Sequence, residues 1–125
     1  KIDIVIRGNC SLVPGIKGLS ENIRCVGIID RYLEHSRILI FANGGKPRFF
    51  IGSADWMPRN LLNRIEVLTP VYDEEMQADL MRTISYGMRD STNGRLIDGK
   101  GTDDFVNGEP FRSQEELYKE LKSKY

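Results

Sequence analysis

Cysteine and histidine are scarce in this sequence of 125 residues. It contains two cysteines, Cys10 and Cys25, and one histidine, His35. Two cysteines are too few for a disulfide framework or for a zinc site. We therefore expect both to be free thiols in a reducing compartment, with Cys25 buried in a strand.

Long apolar runs and an excess of one charge are also missing. No apolar stretch approaches the ~20 residues that span a bilayer, and no secretory signal is recognisable. The 18 lysines and arginines are balanced by 18 aspartates and glutamates. A chain without net charge has no overall field that attracts nucleic acid or an anionic membrane, so we expect no nucleic-acid partner.

The length and the first residues of the sequence bear on its domain organisation. A chain of 125 residues suits one domain with room for a core, and we predict a single domain over residues 1–125. The sequence begins at Lys1 within a strand-like run. We therefore expect a fragment of a longer protein, in which residues outside this chain complete an active site.

Apolar patterning predicts strands first and helices later, and hence a mixed α/β fold. The β-branched alternation over residues 2–8 predicts a strand, and a loop follows over residues 9–18. Residues 23–29 predict a buried strand, although their pattern also permits a helix. Residues 64–71 predict a further strand, which Pro70 ends.

The second half of the chain predicts two helices separated by a loop. Asp73, Glu74 and Glu75 suit the N-terminus of a helix, where the helix dipole favours negative charge. The predicted buried stripe of this helix comprises Met76, Leu80, Ile84 and Met88. Residues 92–110 are rich in Gly, Asp and Asn, and they predict an irregular, mobile loop. Residues 113–116 fit a capping box. The stripe of the last helix comprises Leu117, Leu121 and Tyr125.

The segment from residue 34 to residue 60 predicts a β-hairpin. The runs Ile38–Phe41 and 49–51 flank a turn at Asn43–Gly45. The first strand is apolar on both faces beyond Arg37, so we expect an interior strand covered on both sides. Since the ends of antiparallel partners lie side by side, a histidine, a hydroxyl, a carboxylate and an arginine should meet at one edge of the sheet.

His35 is the candidate catalytic residue of this edge. A pKa near neutrality suits a histidine for nucleophilic or acid–base work on phosphorus, whereas a lone histidine more often has only a hydrogen-bonding role. Asp55 either orients His35, pairs with an arginine or caps a turn. No phosphate-binding P-loop is present, because residues 43–46 lack its spacing. The sequence has no metal-ligand cluster.

Five arginines fall at predicted strand ends or in the adjoining loops. They are Arg7, Arg31, Arg37, Arg59 and Arg64. Converging guanidinium groups would bind phosphate oxygens through bidentate hydrogen bonds and would suit phosphoryl transfer. The alternative is that each arginine is solvated or pairs with one of the equally numerous acids.

Several motifs in order give the sequence a resemblance to a known family. They are Arg7-Gly8-Asn9-Cys10-Ser11-Leu12, Gly18-Leu19-Ser20-Glu21-Asn22-Ile23, Tyr32-Leu33-Glu34-His35-Ser36-Arg37, Asn43-Gly44-Gly45 and Ser53-Ala54-Asp55-Trp56-Met57-Pro58-Arg59-Asn60. The chain resembles the last domain of ATP-dependent polyphosphate kinases, densely over residues 2–71 and more weakly beyond residue 72. The resemblance implies a phospholipase D-like α/β domain, with a central mixed sheet flanked by helices.

The phospholipase D pattern is His-x-Lys-x4-Asp followed by Gly-Ser-x-Asn. His35 and Gly52-Ser53 fit it. Arg37 replaces the lysine of the pattern, Ala42 replaces its aspartate and Asp55 replaces its asparagine. These departures argue against phosphodiesterase activity and agree with the kinase variant.

The resemblance implies reversible transfer of the terminal phosphate of ATP to inorganic polyphosphate. The phosphohistidine that carries the phosphate belongs to the preceding domain of the family, which this chain lacks. His35 matches the second histidine, which contacts nucleotide phosphates and assists as acid or base. Arg7 matches an ATP-binding arginine and Arg64 another active-site arginine, while Arg59 and Arg37 are weaker matches.

The same resemblance implies partners and surroundings for the full-length protein. Mg²⁺ is the expected cofactor, with its ligands outside this chain, and no residue here is assigned as a metal ligand. The partners are ATP or ADP, polyphosphate and the preceding domains of the same chain. A homo-oligomer is expected in the cytoplasm, and a peripheral location at the inner membrane is the alternative. Two other functions stay open, a phospholipase D-like phosphodiesterase half-site and a non-catalytic polyphosphate-binding domain.

Overall fold

The computed structural model describes residues 1–8 and 10–124, and within them it has six strands and two α-helices. The strands are β1 (Ile2–Ile6), β2 (Ile23–Ile28), β3 (Ile38–Phe41), β4 (Arg48–Gly52), β5 (Leu68–Val71) and β6 (Gly94–Ile97). The helices are α1 (Glu74–Arg89) and α2 (Ser113–Lys124). In these ranges no helix is both long and apolar enough to cross a bilayer.

The predicted mixed α and β character is confirmed, and the strands form two three-stranded sheets. The chain divides into a first unit, Lys1–Leu33 with Thr83–Tyr125, and a second unit, Glu34–Arg82. The organisation of residues 1–125 as one domain stays a prediction. Two predicted features involve residues outside the described ranges, the loop position Asn9 and the helix-stripe position Tyr125.

The first unit is built on a sheet in the order β1-β2-β6. β1 runs parallel to β2, and β6 runs antiparallel to it. The core comprises Val26, Ile28, Met88 and Val106. Gly87 lets α1 approach β1, because a Cβ atom there would lie 2.9 Å from a methyl group of Val5. The predicted strands at residues 2–8 and 23–29 are confirmed, and Cys25 is buried as expected.

The expected loop over residues 92–110 is wrong in part, because β6 lies within it. Its residues 94–97 pair with Ile28 to Cys25, and Arg95 bridges to Phe105. The guanidinium of Arg95 lies 3.4 Å from the centre of the Phe105 ring, which gives this polar segment an ordered contact. Part of a segment whose composition is typical of loops therefore forms the third strand of the first sheet.

The buried carboxylate of Asp90 joins three elements of the first unit. Its side chain is fully buried, and Oδ1 accepts hydrogen bonds from the amides of Thr92, Asn93 and Gly94, just before and at the start of β6. Oδ2 accepts bonds from the amide and hydroxyl of Ser113, at 2.8 and 2.6 Å. Asp90, which directly follows the last residue of α1, thus binds the first residue of α2.

The capping box predicted at residues 113–116 is therefore wrong, because Ser113 and Glu116 bond to other residues and not to each other. The hydroxyl of Ser113 donates to Asp90, and the amide of Glu116 donates to the carbonyl oxygen of Arg112. A buried carboxylate from a distant part of the sequence satisfies the start of α2, which has amides without intrahelical partners. Leu117 and Leu121 are half-buried, as members of the predicted stripe.

The second unit contains the predicted hairpin, with β4 between β3 and β5. Ile38 pairs with Ile51 and Phe41 with Arg48, and β5 pairs antiparallel with β4. The expectation of an interior first strand is wrong, because β3 lies at the edge of its sheet. The strand predicted over residues 64–71 is confined to 68–71, and Pro70 lies within it opposite Phe50.

The predicted helix at residues 73 onward is confirmed. The carboxylate of Asp73 accepts a bond from the amide of Met76 at 2.9 Å, which caps α1. Met88 is buried, and Leu80 and Ile84 are half-buried. Met76 is 61% exposed, so the predicted stripe is wrong at its first member.

Replacing Asp90 should destabilise the chain strongly. Asp90→Ala leaves several buried donors without acceptors, and we expect a loss of roughly 3 kcal/mol or more in the free energy of unfolding, measured by urea denaturation. Asp98→Ala is the matched control, since Asp98 also accepts local amide bonds but in an exposed turn. Equal losses for the two variants would contradict the role assigned to Asp90.

The ion pair between Asp30 and Arg112 should make stability fall in acid. Nη2 of Arg112 donates a hydrogen bond to Oδ1 of Asp30 at 2.5 Å, and the Asp30 side chain is 2% exposed. This bond, opposed by burial and aided by the amide of Arg31, lowers the pKa of Asp30 from 3.8 to about 2. Asp30 therefore binds a proton more readily in the unfolded chain than in the folded one. The stabilisation by the ion pair is present above pH 4 and is lost as the pH falls towards 2.

We expect the pair to account for on the order of 1–2 kcal/mol of unfolding free energy between pH 4 and pH 2. Denaturation curves at a series of pH values measure it. The variant Asp30→Asn should lose less stability over the same interval. A variant with the same pH dependence as the native chain would show that Asp30 is not responsible.

Candidate functional site

His35 lies just before β3, at the open end of the hairpin, and its side chain is exposed. The ladder continues past the last paired residues of β3 and β4, because the amide of Gly52 donates to the carbonyl oxygen of Arg37 at 3.0 Å. This bond places residues 35–37 beside the segment that follows β4. Of the four groups predicted to meet at this edge, the arginine contacts the histidine and the carboxylate, whereas the hydroxyl of Ser53 bonds to Glu66 and Val67.

Arg37 connects the two sides of this edge. Its Nε donates to Oδ1 of Asp55 at 3.0 Å, with side chains 26% and 33% exposed. Its Nη1 donates to the carbonyl oxygen of His35 at 2.7 Å and lies 3.4 Å from Nδ1 of the same residue. Of the roles considered for Asp55, pairing with an arginine is the one observed.

Arg37 also approaches the imidazole ring of His35. A guanidinium group has donors only, so Nδ1 can accept from Nη1 only in the tautomer that carries its proton on Nε2. The contact is long for a hydrogen bond, and the role of Nδ1 depends on the tautomer of the ring.

Ser53 forms a second set of contacts, with the residues before β5. Its hydroxyl donates to Oε2 of Glu66 and accepts a bond from the amide of Val67 at 3.1 Å. Its own amide donates to the carbonyl oxygen of Val67 at 3.1 Å. The close approach depends on Gly52, where a Cβ atom would lie 2.9 Å from that same carbonyl oxygen.

Asn60 supports Glu66 from the turn at Arg59–Asn63. Its Nδ2 donates to Oε1 of Glu66 at 2.8 Å, and the residue is 4% exposed. Among the described residues, Oδ1 of Asn60 has no hydrogen-bond partner. The amide is thus fixed by one strong contact to a carboxylate.

Glu66 is held in its charged form. Hydrogen bonds from Ser53 and then Asn60 lower the pKa of its carboxyl group, and the positive charges of Arg64 and Arg37 lower it further, while burial opposes the shift. Glu66 therefore lies within the electrostatic reach of two of the predicted phosphate-binding arginines. Arg64 itself is exposed.

The predicted site residues are distributed over both units. Arg37 contacts both His35 and Asp55, and Arg64 belongs to the same unit. Arg7 lies in the first unit, directly after β1, and is half-buried. The binding of ATP by Arg7, together with His35 and Arg64, stays a prediction.

Sequence reasoning missed Glu66 and the contact role of Asn60. Glu66 follows a predicted site arginine by two residues, but its contact with Ser53 spans 13 positions. Only the register of β4 against β5 could have revealed it, since Gly52 pairs with Leu68.

The described ranges contain no group of three His, Cys, Asp or Glu side chains that could hold a metal ion. The fold and this edge define a mixed α/β chain that presents an exposed histidine beside an arginine held by a carboxylate, with a second, exposed arginine in the same unit. Such an arrangement suits the binding of phosphate groups.

Comparison with known proteins gives the family. The family model "Polyphosphate kinase C-terminal domain 2" matches residues 1–115. The chain belongs to this family.

Relatives and a solved structure agree with this assignment. A polyphosphate kinase of Vibrio vulnificus is 46% identical over 126 residues, and one of Escherichia coli is 40% identical over 125. Each match covers 98% of this chain but 18% of the relative. The crystal structure of polyphosphate kinase from Porphyromonas gingivalis has a TM-score of 0.92 and 42% identity, over 99% of this chain and 19% of that one.

Removing the Ser53 hydroxyl should raise the pKa of Glu66. The variant Ser53→Ala loses a donor to the charged carboxylate, so the pKa should move back towards its ordinary value. An NMR titration of the Glu66 side-chain carboxyl carbon measures it. Ser123→Ala, whose hydroxyl bonds to a helix carbonyl oxygen, should leave that pKa unchanged, and an unchanged value in Ser53→Ala would refute the contact.

Proposed function

We propose that this chain is the C-terminal catalytic region of a polyphosphate kinase, which reversibly transfers the terminal phosphate of ATP to inorganic polyphosphate. The observation that supports the proposal most is the family match over residues 1–115. The activity belongs to the whole enzyme, because the chain spans 18% of the length of its Vibrio vulnificus relative.

In this proposal His35 acts as the acid and base of phosphoryl transfer. A histidine of the preceding domain attacks the terminal phosphorus of ATP, a P–N bond forms, and the P–O bond to ADP breaks. The protonated imidazolium of His35 donates a proton from Nε2 to the departing oxygen of ADP, which leaves the ring neutral, and in the reverse direction the neutral ring takes that proton back. In the second step the P–N bond breaks, and the terminal oxygen of polyphosphate forms the new P–O bond.

The arginines divide into two proposed roles. Arg37 is engaged by Asp55 and by the backbone of His35, so it positions the imidazole ring. Arg64 is exposed and its guanidinium is available to phosphate oxygens, with Glu66 nearby as a counter-charge. Arg7 is proposed to bind ATP, following its place in the family motif.

Mg²⁺ is proposed to accompany the ATP phosphates, with protein ligands outside this chain. It would supply positive charge that offsets the phosphate oxygens during transfer. The carboxylates of this edge do not fit the role of ligands, because Asp55 is bound to Arg37 and Glu66 to Ser53 and Asn60. Homo-oligomerisation, a cytoplasmic location and its inner-membrane alternative stay predictions.

Replacing His35 in the full-length enzyme should remove activity without unfolding it. We expect His35→Ala to lose about 10²–10⁴-fold in both polyphosphate synthesis and the reverse formation of ATP, because proton transfer from a positioned histidine contributes that much. Lys46→Ala is the matched control, since Lys46 is exposed beyond the turn at the other end of the same hairpin. Both reactions are followed by conversion of radiolabelled phosphate.

Retained activity in His35→Ala would remove His35 from the mechanism and would favour the non-catalytic alternative, a domain that binds polyphosphate. The phosphodiesterase alternative has its own readout, since the 125-residue chain would then hydrolyse a simple phosphodiester. We expect neither that hydrolysis nor synthesis of polyphosphate by the chain alone, because the attacking histidine is proposed to lie elsewhere.

A further inference from the structure

The second unit has almost no apolar core of its own. Across residues 34–82, all of which are described, Phe49 is the single buried apolar residue. Many large apolar side chains of this unit are instead exposed. More than half exposed are Phe41, Trp56, Leu61, Leu62, Ile65, Val67, Leu68, Tyr72 and Met76. A unit that leaves so much apolar surface in water lacks a cover.

Part of this surface is one face of the sheet in the second unit. Leu39, Phe50 and Pro70 are cross-strand partners, so their side chains share a face. Alternation adds Phe41 and Leu68 to it. We call these five residues the apolar sheet face.

The apolar sheet face carries one charged residue among its paired positions, at one end. Phe41 and Leu68 are 53% and 51% exposed, Pro70 is exposed, and Leu39 and Phe50 are half-buried. The rings of Phe41 and Phe50 meet edge to face at 5.9 Å. Arg48, opposite Phe41, is the charged residue of the paired positions and lies at the end of the strand.

The opposite face of the same sheet contains the buried residue Phe49. An antiparallel sheet that is solvated on one side normally carries polar residues there. Here both sides are apolar and one is open, which indicates that the open side packs against another apolar surface in the intact protein.

The lengths of the relatives indicate what supplies that surface. This chain covers 18% of the Vibrio vulnificus enzyme and 19% of the Porphyromonas gingivalis chain. We infer that the apolar sheet face docks against an apolar segment of the longer kinase chain, outside these 125 residues. The inference rests on the part of the proposed function that makes this chain one region of a longer enzyme, and on no role of His35.

Hydrogen exchange in the unaltered proteins tests the inference without a substitution. Amides of β3, β4 and β5 should exchange at least about tenfold more slowly in the full-length enzyme than in the 125-residue chain. Amides of β2, which lie in the core of the first unit, should differ by less than about threefold and serve as the internal control.

Two other occupants of the face give different results. Equal exchange of β3, β4 and β5 in both proteins would show that the longer chain does not cover the face, and it would overturn the inference. Protection in the 125-residue chain that rises with its concentration would identify a second copy as the occupant and would also overturn it. Neither result depends on catalysis, so failure here is distinguishable from failure of the proposed function.

A matched pair of variants locates the contact. Leu68→Gln in the full-length enzyme should return the exchange of β3, β4 and β5 to within about threefold of the rates in the 125-residue chain. Leu19→Gln makes the same change at a residue of the first unit that is 78% exposed, and it should keep the protection. Full protection in Leu68→Gln would contradict the assignment of this face.

Discussion

The first unit depends on one buried carboxylate. Asp90 accepts five hydrogen bonds, and their donors belong to the start of β6 and the start of α2. A buried carboxylate is tolerated only when its oxygens are satisfied, so the same bonds that keep Asp90 in place also fix the chain around it. The path of residues 90–113 is therefore determined by polar contacts, since few of its side chains are apolar.

In the second unit, the register of the paired strands determines which polar side chains come into contact. The bond from Gly52 to the carbonyl oxygen of Arg37 brings Arg37 to Asp55, and the approach of Val67 to Gly52 brings Glu66 to Ser53. Asp55 thereby holds Arg37, and Glu66 holds Ser53 and Asn60. Preorganised groups of this kind would favour the phosphoryl transfer proposed for the whole enzyme, because little reorganisation would accompany the reaction.

The hairpin and α1 could be predicted from the sequence, because apolar periodicity, a glycine turn and an acidic cap all agree there. β6 could not, since it is only four residues long and lies in the polar segment 92–110, where contacts of Arg95 with Phe105 and of Asp90 with the start of β6 hold it in place. The interior position expected for β3 was wrong for a related reason. Two apolar faces predict cover on both sides, but one face of its sheet is left open by the described residues. Glu66 was missed because its role arises only from register.

Pro70 gives the two outer strands of the second sheet different susceptibility to aggregation. A proline has no backbone N–H, so β5 cannot offer a continuous row of donors to a further strand. The other edge, β3, reads Ile-Leu-Ile-Phe and has no such interruption. Unwanted growth of this sheet, whether into swapped dimers or into fibrils, would therefore start at β3. In a protein purified without the rest of its kinase, that strand would govern solubility and storage.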